Sequence, residues 1–312
     1  MARILGYTHP ACLEHDPGPG HPECADRLGA VLEALHGALP QMEWIEAPRA
    51  TRGQLLRVHD PHLLATVLTT PSPGMRRLDP DTVVSPGSPE AALRAVGAGI
   101  AAVEAVMQGE ADVAFCAVRP PGHHATIDAA MGFCLFNNIA VAAAHALDRF
   151  GLARVAIVDF DVHHGNGTQA IFEQDPRVLY LSSHQSSLYP WTGASNERGA
   201  GNIVNALLAA GSGSEAFRRI WQDTLLPALE AFAPQLLLVS AGFDGDRRDP
   251  HAQLALGPED FSWLTGELAR VAGRHCAGRI VSMLEGGYDL QALGECAAAH
   301  VAKLAADPTG AA

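Results

Sequence analysis

The chain has 312 residues, of which 48% are hydrophobic and 18% are charged, and its formal net charge is -13. This composition predicts a globular protein, and the acidic balance argues against a nucleic-acid partner, because binding to phosphates needs a basic face. No apolar run approaches the roughly 18 residues of a membrane span, and the six cysteines lack paired spacing. The sequence therefore predicts a cytoplasmic protein with reduced thiols and no membrane partner.

Short apolar runs alternate with helical segments, which predicts a parallel β-sheet with helical crossovers. The predicted strands are residues 3–7, 113–118, 155–160, 178–182, 236–240 and 280–284. The predicted helices are residues 88–109, 138–150, 214–232 and 258–274. The segment from Pro71 to Gly87 is rich in Pro, Asp and Ser and predicts a long surface loop. With no internal repeat and no linker, we expect residues 1–312 to form a single domain of the α/β class.

The strand predicted at residues 155–160 leads into the segment DFDVHHGNGTQ, residues 159–169. Alternation along an extended chain places Asp159, Asp161 and His163 on one side. Any one of these residues alone has an ordinary explanation, such as a helix cap or a core histidine. Four ionisable residues within six positions, directly after a buried strand, instead indicate a site that binds a cation.

Other polar clusters follow other predicted strands. The tandem histidines, His123 and His124, follow residues 113–118 in a proline-stiffened turn, and Asp244 follows residues 236–240. The last predicted strand leads into Glu285-Gly286-Gly287-Tyr288-Asp289, where paired glycines allow a close approach of the backbone. The segment 132–138, GFCLFNN, precedes a predicted helix. We expect these clusters to meet at one edge of the sheet.

In this order, the motifs RPPGHHA, GFCLFNN, DFDVHHGNGTQ, SAGFD and LEGGYD resemble those of the histone deacetylase family, within the arginase/deacetylase superfamily. The resemblance is closest to the class II branch and its bacterial amidohydrolase-like members, and it covers roughly residues 3 to 300. It implies one domain with a central parallel sheet of about eight strands, flanked by helices.

The resemblance implies a catalytic zinc ion held by Asp161, His163 and Asp244, with iron(II) as an alternative. It pairs the tandem histidines with different partners: His123 with Asp159, as an electrostatic and positioning element, and His124 with Asn166, as the general base and acid. Asn at this position is the class II form, and its neutral amide does not raise the pKa of the imidazole as a carboxylate would.

The remaining functional positions also come from the resemblance. Tyr288 would stabilise the oxyanion, and the substrate would pass between Phe133 and Tyr189. The predicted substrate-binding positions further include Gly132, Gly286 and His251. A potassium ion is implied near Asp159, Asp161, His163, Ser182 and Ser183. Two residues depart from the family pattern. His251 makes one channel wall polar, and Trp191 stands where a glycine is usual and could narrow or cover the mouth.

The implied reaction is hydrolysis of an acylated lysine peptide or a small acyl-amine, with an acetylpolyamine as the alternative substrate. A binuclear manganese ureohydrolase is a rival, since Asp244-Gly245-Asp246 resembles its Asp-x-Asp motif, but Gly165 lacks the carboxylate that a second metal needs. A non-catalytic acyl-amine binder is a further rival, disfavoured by retention of the tandem histidines and Tyr288. The sequence does not determine whether the chain forms a homo-oligomer.

Overall fold

Eight parallel strands form one central sheet, with helices on both of its faces. The structure is a computed structural model that describes residues 2–69 and 74–306. In chain order the strands are β1 (Ile4–Thr8), β2 (Glu43–Glu46), β3 (Arg76–Arg77), β4 (Val83–Val84), β5 (Val113–Cys116), β6 (Val155–Asp159), β7 (Val178–Gln185), β8 (Ile203–Leu208), β9 (Leu236–Ala241) and β10 (Ile280–Leu284). The sheet order is β2-β1-β5-β10-β9-β6-β7-β8, and β3 pairs with β4 as a separate antiparallel hairpin.

The helices cover the sheet from both sides. They are α1 (Ala25–Ala38), α2 (Arg52–Leu55), α3 (Pro61–Leu68), α4 (Ser88–Gln108), α5 (Asn138–Phe150), α6 (Asn166–Phe172), α7 (Ser214–Ile220), α8 (Leu226–Phe232), α9 (Pro258–His275) and α10 (Leu290–Ala305). Neighbouring residues of β10 show the two faces. The Ser282 hydroxyl contacts His300 of α10, whereas Met283 lies against Gly99 of α4.

The four central strands, β5, β10, β9 and β6, are buried along their whole length. This burial explains why each is a nearly continuous apolar run rather than an alternating one, since both faces of a parallel sheet are covered by helices. Because these strands are parallel and adjacent, their carboxyl ends lie side by side at one edge. That edge is where open α/β sheets bind ligands.

The predicted single α/β domain with about eight parallel strands is confirmed. All six predicted strands and all four predicted helices are present, and a π-helical turn, Trp221–Leu225, joins α7 to α8 within the predicted helix 214–232. The predicted loop from Pro71 to Gly87 is wrong for residues 76–84. There β3 and β4 form a hairpin whose Val83 and Val84 are buried, while residues 71–73 lie outside the described residues.

Across the described helices, none combines the length and the apolar character that crossing a membrane would require.

Candidate active site

Three side chains that follow β6 and β9 converge at the ligand-binding edge of the sheet. The Nδ1 atom of His163 lies 3.1 Å from Oδ1 of Asp161 and 3.1 Å from Oδ2 of Asp244. One potential ligand atom from each of these residues lies within 4.8 Å of the others. We call this group the metal cluster. Among residues 2–69 and 74–306 it is the one group of three such residues with this geometry.

Main-chain donors orient the two carboxylates of the metal cluster. The N–H of Gly286 donates to Oδ2 of Asp161 at 2.8 Å, and the N–H of Val162 donates to Oδ1 of Asp244 at 2.9 Å. The remaining oxygens therefore face the imidazole of His163. Gly286 is required at this place, because a Cβ atom there would run into both carboxylates.

The chemistry of the metal cluster fits a divalent cation. Asp161 and Asp244 are fully buried, and burial together with the charge of Asp161 raises the pKa of Asp244 to about 7. Burial alone would lower the pKa of His163, but hydrogen bonds to Asp161 and Asp244 raise it to about 10. Two carboxylate oxygens and one imidazole nitrogen are ligands that Zn²⁺ accepts, and a site with three protein ligands leaves a position open for a substrate or water.

The tandem histidines lie beside the metal cluster and have different partners. Nδ1 of His123 is 3.0 Å from Oδ2 of Asp159, and Nδ1 of His124 is 2.8 Å from Oδ1 of Asn166, which is the predicted pairing. The two ring centroids are 4.0 Å apart. The Asn166 side-chain oxygen can accept a hydrogen bond but cannot donate one. It therefore selects the His124 tautomer that carries its proton on Nδ1, and the Nε2 atom of His124 is left without a proton.

These partners move the pKa values of the tandem histidines in opposite directions. Burial alone would lower the pKa of His123, but the carboxylates of Asp161 and Asp159 outweigh burial and hold it well above its ordinary value. Burial, followed by the neighbouring His123 and His163, holds the pKa of His124 well below its ordinary value. His123 is therefore the cationic member and His124 the neutral one.

Tyr288 follows the Gly286-Gly287 turn and lines the same cavity as His124. Its ring contacts Phe133 and His251, with centroid distances of 5.9 and 4.8 Å, and the Arg27 guanidinium lies 4.9 Å from its centre. The N–H of Tyr288 donates to Asp249 at 2.6 Å. Burial raises the pKa of Tyr288 well above its ordinary value, so the phenol keeps its proton and can donate it in a hydrogen bond.

A cavity of about 210 Å³ leads from the surface to these groups. It is lined by Asp81, His124, Gly132, Phe133, His163, Leu188, Tyr189, His251 and Tyr288. Four predicted substrate positions, Gly132, Phe133, Tyr189 and His251, are among them. Gly132 has a left-handed φ of 56°, and a Cβ atom there would run into His124, so glycine is required.

Some predicted positions lie elsewhere. Gly286 was predicted to bind substrate, but it is absent from the cavity lining and lies against the carboxylates of the metal cluster. Trp191 is also outside the lining. This residue is 75% exposed, and its ring packs edge-on against Tyr189 with the ring centroids 5.5 Å apart, so it lies beside the cavity at the surface. Asp81 and Leu188 line the cavity without having been predicted to do so.

The two serines predicted to bind potassium point to opposite faces of β7. The Ser182 hydroxyl contacts Nδ1 of His184, on the side from which Tyr180 donates to Asp159. The Ser183 hydroxyl accepts a hydrogen bond from the Trp221 indole on the other face. A side-chain contact from Ser183 to an ion beside Asp159 is therefore excluded by the alternation of the strand.

A buried histidine supports the loop that follows the tandem histidines. The Nδ1 atom of His59 lies 2.8 Å from the carbonyl oxygen of Thr126, and its Nε2 atom accepts a hydrogen bond from the N–H of Asn137 at 2.9 Å. A ring that accepts a main-chain N–H at one nitrogen is neutral. Burial lowers the pKa of His59 to about 4, in agreement with this tautomer.

Among the described residues, the geometry argues against the second transition-metal site that a ureohydrolase needs. A Cβ atom on Gly165 would collide with Asp159 and with the Tyr180 hydroxyl. Asp246, the second acid of the Asp-x-Asp resemblance, points instead to Arg248 and Cys296. The described residues therefore offer one metal cluster and not the binuclear centre of a ureohydrolase.

Comparisons with known proteins agree with this fold. A family model described as "Histone deacetylase domain" matches residues 21–304. The histone deacetylase-like amidohydrolase of Pseudomonas aeruginosa is 42% identical, over 97% of this chain and 86% of its own length. A probable deacetylase of Archaeoglobus fulgidus is 36% identical, over 91% of this chain and 80% of its own.

A mouse protein named polyamine deacetylase HDAC10 is 38% identical over 92% of this chain, which spans 45% of that protein. The crystal structure of the HDA15 HD domain superposes with a TM-score of 0.92 at 36% identity, covering 97% of this chain and 88% of that one. An α/β domain with a site of this kind defines an amidohydrolase of the deacetylase type. The chain belongs to the histone deacetylase family.

Proposed function

We propose that the protein is a zinc-dependent deacylase that hydrolyses the amide of an acylated primary amine. One observation carries the proposal: His163 of the metal cluster, His124 and Tyr288 line the same cavity. We also propose that residues 1–312 form one catalytic domain, that the protein is of the class II type because Asn166 partners His124, and that it acts in the cytoplasm.

Zn²⁺ held by Asp161, His163 and Asp244 would polarise the amide carbonyl and make a water molecule more acidic. The protein supplies the proton transfers. Nε2 of His124, left free by the hydrogen bond at Nδ1, accepts a proton from the attacking water and returns it to the leaving amine. The Asp159 carboxylate favours the protonated form of His123, which would stabilise the negative charge that develops nearby.

Tyr288 supplies the hydrogen bond that grows stronger along the reaction. Its phenol stays protonated and lines the cavity beside His163. A donor aimed at the substrate oxygen stabilises the oxyanion more than the neutral carbonyl, so it lowers the barrier rather than only tightening binding. Retention of this donor disfavours a binder without catalysis.

The cavity wall suits an uncharged acyl group on a methylene chain. Phe133, Leu188 and Tyr189 provide the apolar part of the lining. We therefore propose an acyl-lysine peptide or a small acyl-amine as the substrate. An acetylpolyamine is the second candidate. It is favoured by Asp81, an acidic residue of the cavity lining that would offer a partner for a second amine. We also retain as a proposal a potassium ion near Asp159, Asp161, His163, Ser182 and Ser183.

The test is release of free amine and carboxylate by the purified protein from an ε-acetyl-lysine peptide, an acetylpolyamine and, as the ureohydrolase control, arginine. We expect turnover of at least one acyl-amine and none of arginine, with loss on chelation and recovery on addition of zinc. Asp244→Asn should abolish turnover. Asp246→Asn is the matched control, because it changes a buried carboxylate two residues away that faces Arg248. Hydrolysis of arginine alone would refute the proposal.

A further inference from the structure

A fully buried carboxylate beside the site has no part in the chemistry described above. Glu285 is the last residue before the Gly286-Gly287 turn, and its side chain is 1% exposed. Its Oε2 accepts the N–H of Gly122 at 2.7 Å and the N–H of His123 at 3.2 Å. Its Oε1 accepts the hydroxyl of Ser240 at 3.0 Å. One carboxylate thus joins the end of β10 to the end of β9 and to the turn that carries the tandem histidines.

The peptide segment that begins at Glu285 reaches the other functional groups as well. The next residue donates its N–H to the metal-cluster residue Asp161, and Tyr288 follows two residues later. Arg27 fixes the segment from behind, by donating to the carbonyls of Glu285 at 2.5 Å and of Gly287 at 2.6 Å. Residues 285–288 therefore contact or contain three functional groups, which are the tandem histidines, the metal cluster and Tyr288.

We propose that Glu285 is a positioning residue, which holds the tandem histidines at the distance from Tyr288 and the metal cluster that catalysis needs. This inference rests on the proposed function. Within residues 2–69 and 74–306 the Glu285 carboxylate forms no direct ion pair with an Arg, Lys or His side chain, and burying a carboxylate without one is costly. The length of the Glu285 side chain explains why a carboxylate is present here, since it lets one planar group accept hydrogen bonds from two adjacent main-chain N–H groups and a hydroxyl. Misplacement of a catalytic group by about 1 Å can cost about 100-fold in rate.

Two substitutions separate the effect of the Glu285 side-chain length from the effect of its charge. Glu285→Gln loses the charge but keeps the length: the amide oxygen can accept both N–H groups, and its NH₂ can donate to Ser240. Glu285→Asp keeps the charge but withdraws the carboxylate by one carbon–carbon bond, about 1.5 Å. We expect kcat on an acyl-amine to fall at least tenfold in Glu285→Asp with KM changed by less than threefold. In Glu285→Gln we expect kcat within about threefold of the wild type.

Zinc content and melting temperature are measured on the same samples, and both variants should bind zinc as the wild type does. Asp260→Asn is the matched control for the loss of a buried carboxylate, because Asp260 accepts from Ser214, Arg218 and Gly257, away from the cavity. We expect its kcat within threefold of the wild type. Equal activity of the two Glu285 variants, or higher activity in Glu285→Asp, would overturn the inference. A wild-type protein inactive on every acyl-amine would overturn the proposed function instead.

Discussion

Removal of one oxygen atom from Tyr288 tests the oxyanion role with little structural disturbance. Within residues 2–69 and 74–306, no group accepts a hydrogen bond from the Tyr288 hydroxyl, while the ring is held by Phe133, His251 and Arg27. Tyr288→Phe keeps the ring and its contacts and loses only the donor to the substrate. We therefore expect the melting temperature to change by less than about 2 °C, since a change of 1 kcal/mol corresponds to about 2–4 °C in a domain of this size.

The catalytic effect of Tyr288→Phe should be large. Loss of one oxyanion donor typically lowers kcat by about 100- to 1000-fold, or about 2.7 to 4 kcal/mol of transition-state stabilisation. Because the bond is stronger in the transition state than with the neutral amide, kcat should fall while KM changes little. The assay is steady-state hydrolysis of one acyl-amine. Tyr7→Phe makes the same chemical change in β1 and serves as the control. A kcat within fivefold of the wild type in Tyr288→Phe would refute the oxyanion assignment.

Three further predictions concern the histidines and the glycine beneath the metal cluster. His124→Ala should lose far more activity than His123→Ala, because His124 is the neutral histidine of the pair and its Nε2 is free to accept a proton. The opposite result would be a His124→Ala variant that keeps most of its activity and the acidic limb of its pH–rate profile. That result would make His123 the base. Gly286→Ala should reduce bound zinc by at least half, because its Cβ displaces both carboxylates; full occupancy by elemental analysis would contradict this. His59 has its pKa lowered from 6.5 to about 4 in the folded state, so the unfolded state binds its proton first as the pH falls. Stability should be complete above pH 6.5 and fall by about 2 kcal/mol by pH 5 through this residue. Urea unfolding at both pH values should show a smaller loss in His59→Gln, and an equal loss would exclude His59 as the cause.

The centre of the fold was predictable because its strands are buried on both faces. β5, β6, β9 and β10 are apolar throughout, and a continuous apolar run followed by polar residues marks the ligand-binding end of each strand. The edge strands gave no such signal. β2 reads EWIE and is half exposed, and β8 carries Asn205 and two residues that are not buried. Strands of this kind are recognised only once their neighbours in the sheet are known.

Residues with a chemical motif were found, and residues that act through main-chain contacts were not. The metal cluster and the tandem histidines can be recognised in the sequence from their residue types and spacing. Glu285 lies inside the LEGGYD motif, but its proposed role depends on two N–H groups more than 160 positions away in the sequence. α10 was missed although Asp289 caps it by accepting from the N–H of Ala292, a signal that was present but lay at the end of a functional motif.

The metal content of the purified protein tests the central claim most directly. Elemental analysis should find one zinc ion per chain in the wild type, and less than about a tenth of that in a variant with Asp161 and Asp244 both changed to Ala, because the buried cluster then keeps only His163. Iron in place of zinc at the same stoichiometry would preserve the assignment of the ligands. Two transition-metal ions per chain, or an unchanged zinc content in the double variant, would contradict the mononuclear site on which the proposed reaction depends.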